Sequence, residues 1–460
     1  MGNKKNAWLK FDNTKKEEIF SFCEGYKKYI SDCKTERESI KEAIYLAESK
    51  GYRNLKNVIS AGKYLKAGDK VYYNNMDKSL ALFLIGSESI ESGMRIIGSH
   101  VDSPRLDLKP NPLYEDSELS LMETHYYGGV KKYQWVTIPL ALHGVVVKKD
   151  GTKIDVVVGE EETDPVVMVS DLLVHLASEQ QQKKATEVIA GEDLNILVGS
   201  MPLEGEEKEA VKANILKLLK EKYDFEEEDF MSAEIEIVPA GKARDLGLDR
   251  SMVAGYGHDD RICAYTSLLA LLETESVKKT SVVLLVDKEE VGSIGATGMQ
   301  SRFFENAVAE LMDRVGEYSE LKLRRALANS KMLSSDVTAA FDPNYAGAYE
   351  KKNSAFFGKG LAFAKYTGAR GKSGCNDANA EFVAWLRNVM DENDVAYQMA
   401  ELGKVDQGGG GTIAYILAEY GMEVIDCGVA LQNMHAPWEV ASKVDIFETM
   451  RGYKAFLMAE

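Results

Sequence analysis

Apolar residues recur at helical intervals in residues 14–50, with Ile19, Phe22, Tyr26, Tyr29 and Ile30 on one stripe, and predict one or two amphipathic helices. Shorter apolar runs at 70–73, 80–85 and 94–98 read as strands. The run 282–286, VVLLV, is rich in β-branched residues and uninterrupted, the pattern of a strand buried on both faces as in a parallel sheet. A second helical stripe, Ile262, Tyr265, Leu268, Leu269 and Leu272, lies behind Asp259, which sits where that helix should begin. Helices are expected over 304–327 and 377–388, and strands over 331–336 and 422–427.

Between residues 104 and 246 the texture changes to short strands such as 145–148 and 155–158, glycine turns and a helix over 206–223. The acidic stretch 226–229 reads as a solvated turn. Strands and helices resembling the first part resume afterwards. The expectation is an α/β protein: a central mixed sheet flanked by helices, built discontinuously from 1–103 and 247–460, with a smaller mixed, β-rich insertion at 104–246.

The charge balance narrows the partners. With 56 basic and 73 acidic residues in 460, the net charge of -17 argues against nucleic acid or an anionic membrane. The N-terminal stretch lacks the apolar core of a leader, and no run approaches the roughly 18 apolar residues of a membrane span. The cysteines at 23, 33, 263, 375 and 427 are odd in number and form no CxxC pair, which suits reduced thiols and a cytoplasmic protein.

Chemistry concentrates at predicted strand ends. Glu289 and Glu290 follow the buried run 282–286, where open α/β sheets place ligands. Two adjacent carboxylates there are costly unless paired, so a cation is the natural partner. Of six histidines, His100 follows a strand with Asp102 two residues on, and His435 follows a strand-like run. With Asp259, Glu290 and Asp336 these make two imidazoles and three carboxylates, a donor set suited to two zinc-like ions sharing a carboxylate. Asp102 would orient a ligand, and Glu289 stands beside one as candidate general base.

The segments GSHVDSP, GHDDR, DKEEVGS, SSDVTAAFDPNY and NMHAP occur in the order found in the aspartyl and vacuolar-type aminopeptidases, a family of binuclear zinc metallopeptidases that the chain resembles over nearly its whole length. The resemblance implies His100, Asp259 and Asp336 on one metal, and Asp259, Glu290 and His435 on the other. Asp102 would be the supporting aspartate and Glu289 the general base. It implies two divalent ions per subunit, zinc with cobalt or manganese as substitutes, and peptides with a free N-terminus as substrates. The insertion would serve dimer contacts within a homo-oligomer, a tetrahedral dodecamer in the family.

The match departs from the family in places. Where the family reads Arg-Leu-Asp-Asn, this chain has His258-Asp259-Asp260-Arg261, so Asp259 is the expected bridge and Asp260 the alternative. After Asp336 two family histidines are replaced by Ala339 and Asp342. His175 matches a family histidine counted by some as a ligand, and Lys365 matches a lysine that would read an acidic first residue. A deacylase or carboxypeptidase would use the same ligands, and a non-catalytic scaffold is the third reading. Nucleotide binding is disfavoured, because Tyr366 stands where a phosphate loop ending at Gly371-Lys372-Ser373 needs glycine.

Overall fold

The computed structural model describes residues 5–368 and 371–460. Residues 1–4, where the N-terminal stretch read for a leader begins, lie outside the described residues. The chain divides into two units. One holds the residues up to Asp102, Ala243–Met434 and Glu439–Glu460; the other holds Ser103–Lys242 with His435–Trp438.

In the first unit the described residues form a nine-stranded mixed sheet. Its order is Arg53–Asn54, Lys70–Asn75, Ser79–Leu84, Ser281–Val286, Arg95–His100, Lys331–Ser335, Glu423–Gly428, Leu361–Ala364 and Tyr397–Met399. Every residue of Ser281–Val286 is buried, as the unbroken apolar run requires. Its neighbours are antiparallel Ser79–Leu84 and parallel Arg95–His100. Lys331–Ser335 runs parallel to Arg95–His100, and Glu423–Gly428 parallel to Lys331–Ser335. Four parallel strands therefore finish together, with Val286 level with His100 and Ser335 level with Cys427.

Alternation along these strands feeds two core layers. Ile97, Leu285, Leu333 and Ile425 pack on one face with residues of the helices His258–Leu272, Ala380–Glu392 and Lys443–Met458. Ile96, Leu284, Met332 and Val424 pack on the other with Phe303–Arg314 and Glu320–Ala328. Residues 14–50 form two helices, Asn13–Asp32 and Glu36–Ser49, because Thr35 and Glu38 make a capping box that starts the second. Residues 304–327 are likewise split, at Gly316, whose φ of +79° ends the first helix. A smaller five-stranded sheet includes Met252–Gly255 and Glu439–Ser442.

The second unit is a seven-stranded antiparallel sheet among its described residues, with the helix Ala210–Tyr223. Glu226, Glu227 and Glu228 are exposed, as a solvated turn requires, and Asp229 alone departs from that expectation: it is buried, and its carboxylate accepts the N–H of Glu226 at 2.9 Å. His435 falls in this unit, its Nδ1 lying 2.9 Å from the carbonyl of Gly129. Among the described residues no helix is long and apolar enough to cross a membrane, and all five cysteines are free thiols.

Candidate metal centre

The aligned strand ends set the first unit's chemistry in one place. His100 is the last residue of Arg95–His100 and is 2 % exposed. Asp336 follows Lys331–Ser335 directly, held by its N–H on the carbonyl of Cys427 at 2.8 Å. That approach needs glycine next door: a Cβ on Gly428 would lie 2.0 Å from the Asp336 carbonyl. Beyond Ser281–Val286, Lys288 (φ 69°) and Gly292 (φ 94°) are left-handed and bracket the short turn Glu289–Val291. This turn aims two N–H groups at Asp102: Glu289 N–H donates to its Oδ1 and Glu290 N–H to its Oδ2, each at 3.2 Å. Asp102 is fully buried and also faces His100, with Oδ1 3.3 Å and its own carbonyl 2.9 Å from Nδ1.

The other ring nitrogen looks into a group of acids. His100 Nε2 lies 3.2 Å from Asp259 Oδ1, 3.8 Å from Asp336 Oδ1 and 3.9 Å from Glu289 Oε2. Ligand atoms of His100, Asp260 and Asp336 fall within 4.8 Å of one another, as do those of His100, Glu289 and Glu290. Asp259 and Asp260 open the helix His258–Leu272 in non-helical conformations, which lets both carboxylates stand at its head. The N–H of Asp259 is held by Glu439 Oε2 at 3.1 Å.

Crowding of like charges in a buried site shows in the titration of these groups. Burial alone would depress the His100 imidazole, but the carboxylates of Asp102, Asp259, Asp336 and Glu289 outweigh it and raise its pKa well above the ordinary value. Burial pushes Glu289 up to about 8; His100 pulls it down, and Asp336, Asp102 and Asp259 add to the rise. Burial and then the charge of Asp336 raise Asp260 well above the carboxylate range. Both Asp260 oxygens meet no N–H or O–H donor among the described residues. Six carboxylates around one imidazole are a poor resting state for protein alone and a good one for divalent cations. Imidazole nitrogen with carboxylate oxygen is a donor set zinc accepts.

Two expected residues stand elsewhere. His175 lies in an exposed turn of the second unit and in no three-membered ligand group among the described residues. Lys365 follows the strand Leu361–Ala364 and is ion-paired to Asp377, which also holds Lys372 at 2.8 Å. Sequence reasoning gave Asp260 only as an alternative bridge, and it missed Glu439 entirely. It also missed the buried pair of Tyr26 and His258, whose hydroxyl and Nδ1 are 2.6 Å apart. Burial, then Arg261, lowers His258 to about 3, so that ring is neutral. Glu439 follows NMHAPW, and its place in a buried strand was the available signal.

The chain is similar to known proteins over nearly its whole length. The family model described as aminopeptidase I zinc metalloprotease (M18) matches residues 29–457. A protein of Clostridium acetobutylicum described as a probable M18 family aminopeptidase 1 is 66% identical over 454 residues, 98% of each chain. The crystal structure of aminopeptidase I from Clostridium acetobutylicum superposes with a TM-score of 0.93 at 65% identity, covering 99% of both chains. That of an M18-family aminopeptidase from Thermotoga maritima gives 0.94 at 46% identity, again over 99% of both.

Proposed function

Since the chain belongs to the aminopeptidase I family of zinc metalloproteases (M18), we propose that the acidic cluster around His100 is its catalytic metal centre. The protein is an aminopeptidase, a zinc metallo-hydrolase acting on peptides. Family membership thus selects the aminopeptidase over the deacylase, carboxypeptidase and scaffold readings. The observation that carries the site is the convergence of His100, Asp259, Asp260, Glu289, Glu290 and Asp336 at aligned strand ends.

In the proposed assignment His100, Asp259 and Asp336 hold one ion, and Asp259, Glu290 and His435 the other, with Asp259 shared. His435 enters on the motif order. Asp260, behind Asp259, is the remaining candidate for the shared carboxylate. Bound zinc would supply Lewis acidity to the scissile carbonyl and to the attacking water. Glu289 takes the proton from that water and returns it to the leaving amine. Asp102 keeps Nε2 of His100 turned to the site through its contacts with Nδ1, and fixes the Glu289 turn through two N–H bonds.

Lys365 does not present a bare cation, since Asp377 neutralises it. With Ala339 and Asp342 in place of histidines, the proposal is a neutral rather than acidic first residue. A homo-oligomer, the dodecamer of the family resemblance, is also proposed. It is supported by Leu172, Leu173, Val174 and Leu176, which are 46 to 66 % exposed in the second unit. A monomeric mass by native mass spectrometry would remove it. Free thiols support the cytoplasm as the location.

The test is a peptide panel differing only at residue one, with N-acetylated controls, given to chelated protein restored with zinc, cobalt or manganese. Metal-dependent trimming of free-amine peptides, Leu and Met ahead of Asp, is expected. Lys365→Ala should leave the Asp-to-Leu ratio unchanged. Equal cleavage of acetylated peptides would overturn the reading of the substrate amine, and a strong Asp preference would return Lys365 to the site.

A further inference from the structure

Arg261 closes the motif Gly257-His258-Asp259-Asp260-Arg261, of which the metal centre uses only the two aspartates. Its side chain is completely buried. Among the described residues its hydrogen-bond partners are backbone carbonyls: Nε donates to Gly257 at 3.1 Å, Nη2 to Tyr256 at 2.8 Å and Nη1 to Cys33. Burying a charge against carbonyl dipoles is a costly way to tie down a loop. What the guanidinium alone offers is a rigid planar fork that reaches several acceptors at once.

The acceptors show what the fork holds. Gly257 and Tyr256 lie four and five residues before Arg261, so these bonds close a ring around residues 258–260. Cys33 ends the helix Asn13–Asp32, which fastens that ring to a separate element. The seat is close-fitting: a Cβ on Gly257, left-handed at φ 71°, would lie 1.7 Å from Nη2, so only glycine leaves room for the guanidinium. The enclosed residues are held from behind as well. Tyr26 of Asn13–Asp32 sets its hydroxyl 2.6 Å from Nδ1 of His258, and Glu439 Oε2 accepts the N–H of Asp259 at 3.1 Å.

An aspartate at a helix start ordinarily turns its carboxylate back onto the helix's own N–H groups. Here Gly257 is the capping residue, no side chain caps the start, and Asp259 and Asp260 are both non-helical. Neither oxygen of Asp260 meets an N–H or O–H donor among the described residues. We propose that Arg261 is a positioning residue for the metal centre: its fork, seated on Gly257, fixes the turn 257–260 so that Asp259 and Asp260 face the ions instead of capping the helix. Without that hold, repulsion among the gathered acids would be relieved by rotating the turn. Metal binding would then include the cost of re-forming it. The proposal rests on the metal centre assigned above.

Zinc affinity is read by competition with a chromophoric chelator, and ligand geometry by the visible spectrum of the cobalt-substituted protein. Arg261→Lys keeps the charge and loses the fork. Its zinc dissociation constant should rise about 10- to 100-fold, and the cobalt bands should shift. Gly257→Ala, which drives the guanidinium off its seat with Arg261 still present, should act in the same direction and decides the question if Arg261→Lys does not fold. Leu311→Ala, in the core layer on the other sheet face, should lower the unfolding midpoint while leaving zinc affinity and cobalt spectrum as in the parent. Parental affinity and spectrum in the Arg261 and Gly257 variants, however far their midpoints fall, would make Arg261 a support of the fold alone and overturn the proposal. So would an equal loss of affinity in Leu311→Ala, because general destabilisation would then account for the effect. A parent that binds no zinc removes the metal centre and this proposal together, whereas tight parental binding that both variants retain removes this proposal only.

Discussion

Glu289 shows how much one side chain's surroundings decide. It shares a turn with a proposed ligand, Glu290, yet the two N–H bonds that Asp102 accepts turn the neighbouring carboxylates into separate positions. Glu289 Oε2 stays 3.9 Å from His100 Nε2, too far for a strong hydrogen bond and close enough to face the same water. A general base removed from such a position costs about 10² to 10⁴ in turnover. Glu289→Gln, of nearly the same shape, should therefore lose at least about 100-fold in kcat while retaining zinc, read by atomic absorption on the dialysed protein. Loss of the metal along with the activity would make Glu289 a ligand and unseat it as the base.

Elements carry the next order of effects, and the helix Lys443–Met458 supplies a clean case. Its Asp445 is fully buried and accepts the N–H groups of Gly358 and Gly360 at 2.7 and 2.6 Å, tying the helix to the approach of Leu361–Ala364. Burial outweighs those bonds and pushes the carboxyl up from 3.8 to about 7. Between about pH 4 and 7 the folded state then binds more protons than the unfolded one, so stability from this group is full below that window and falls as pH rises through it. Asp445→Asn does not titrate. The urea midpoint of the variant should decline less between pH 4.5 and 7.5 than the parent's, by the equivalent of about 1 to 3 kcal/mol. Parallel midpoint-against-pH curves would show that Asp445 ionises freely. Elements also mark what the sequence makes legible. His100, Glu290 and Asp336 could be read because each ends or follows an apolar run that is a buried strand. Adjacent Asp259 and Asp260 were ranked on the family motif and not on any local pattern, since non-helical backbone at both decides where each points. Glu439, 180 positions from the N–H it accepts, and Asp426, bonded to Thr412 across a loop, are marked locally only as acids within apolar strands, and their partners carry no local pattern.

For the whole molecule, the acids gathered at the strand ends have a cost that folding must meet without a cation. Each strand is stabilised by its apolar layers, but the aligned register that buries Ile97 and Leu285 also delivers His100 and the 287–290 turn into one acidic site. A cation that binds this folded arrangement and not the open chain stabilises it by mass action, by about 4 kcal/mol at 1,000 times the dissociation constant. Chelation should accordingly lower the thermal unfolding midpoint by several degrees, and zinc should restore it. Magnesium should do so poorly, because its preference for water and oxygen ligands in strict octahedral geometry leaves the imidazole unused. Hydrogen exchange locates the effect: added zinc should slow exchange around residues 258–261 and 287–291, and leave the strand Leu140–Val147 of the second unit unchanged. Superimposable melting curves with and without chelator, on protein shown to be metal-free, would mean that these carboxylates are accommodated by protonation alone, as the raised Glu289 and Asp260 permit, and that the centre is not a cation site.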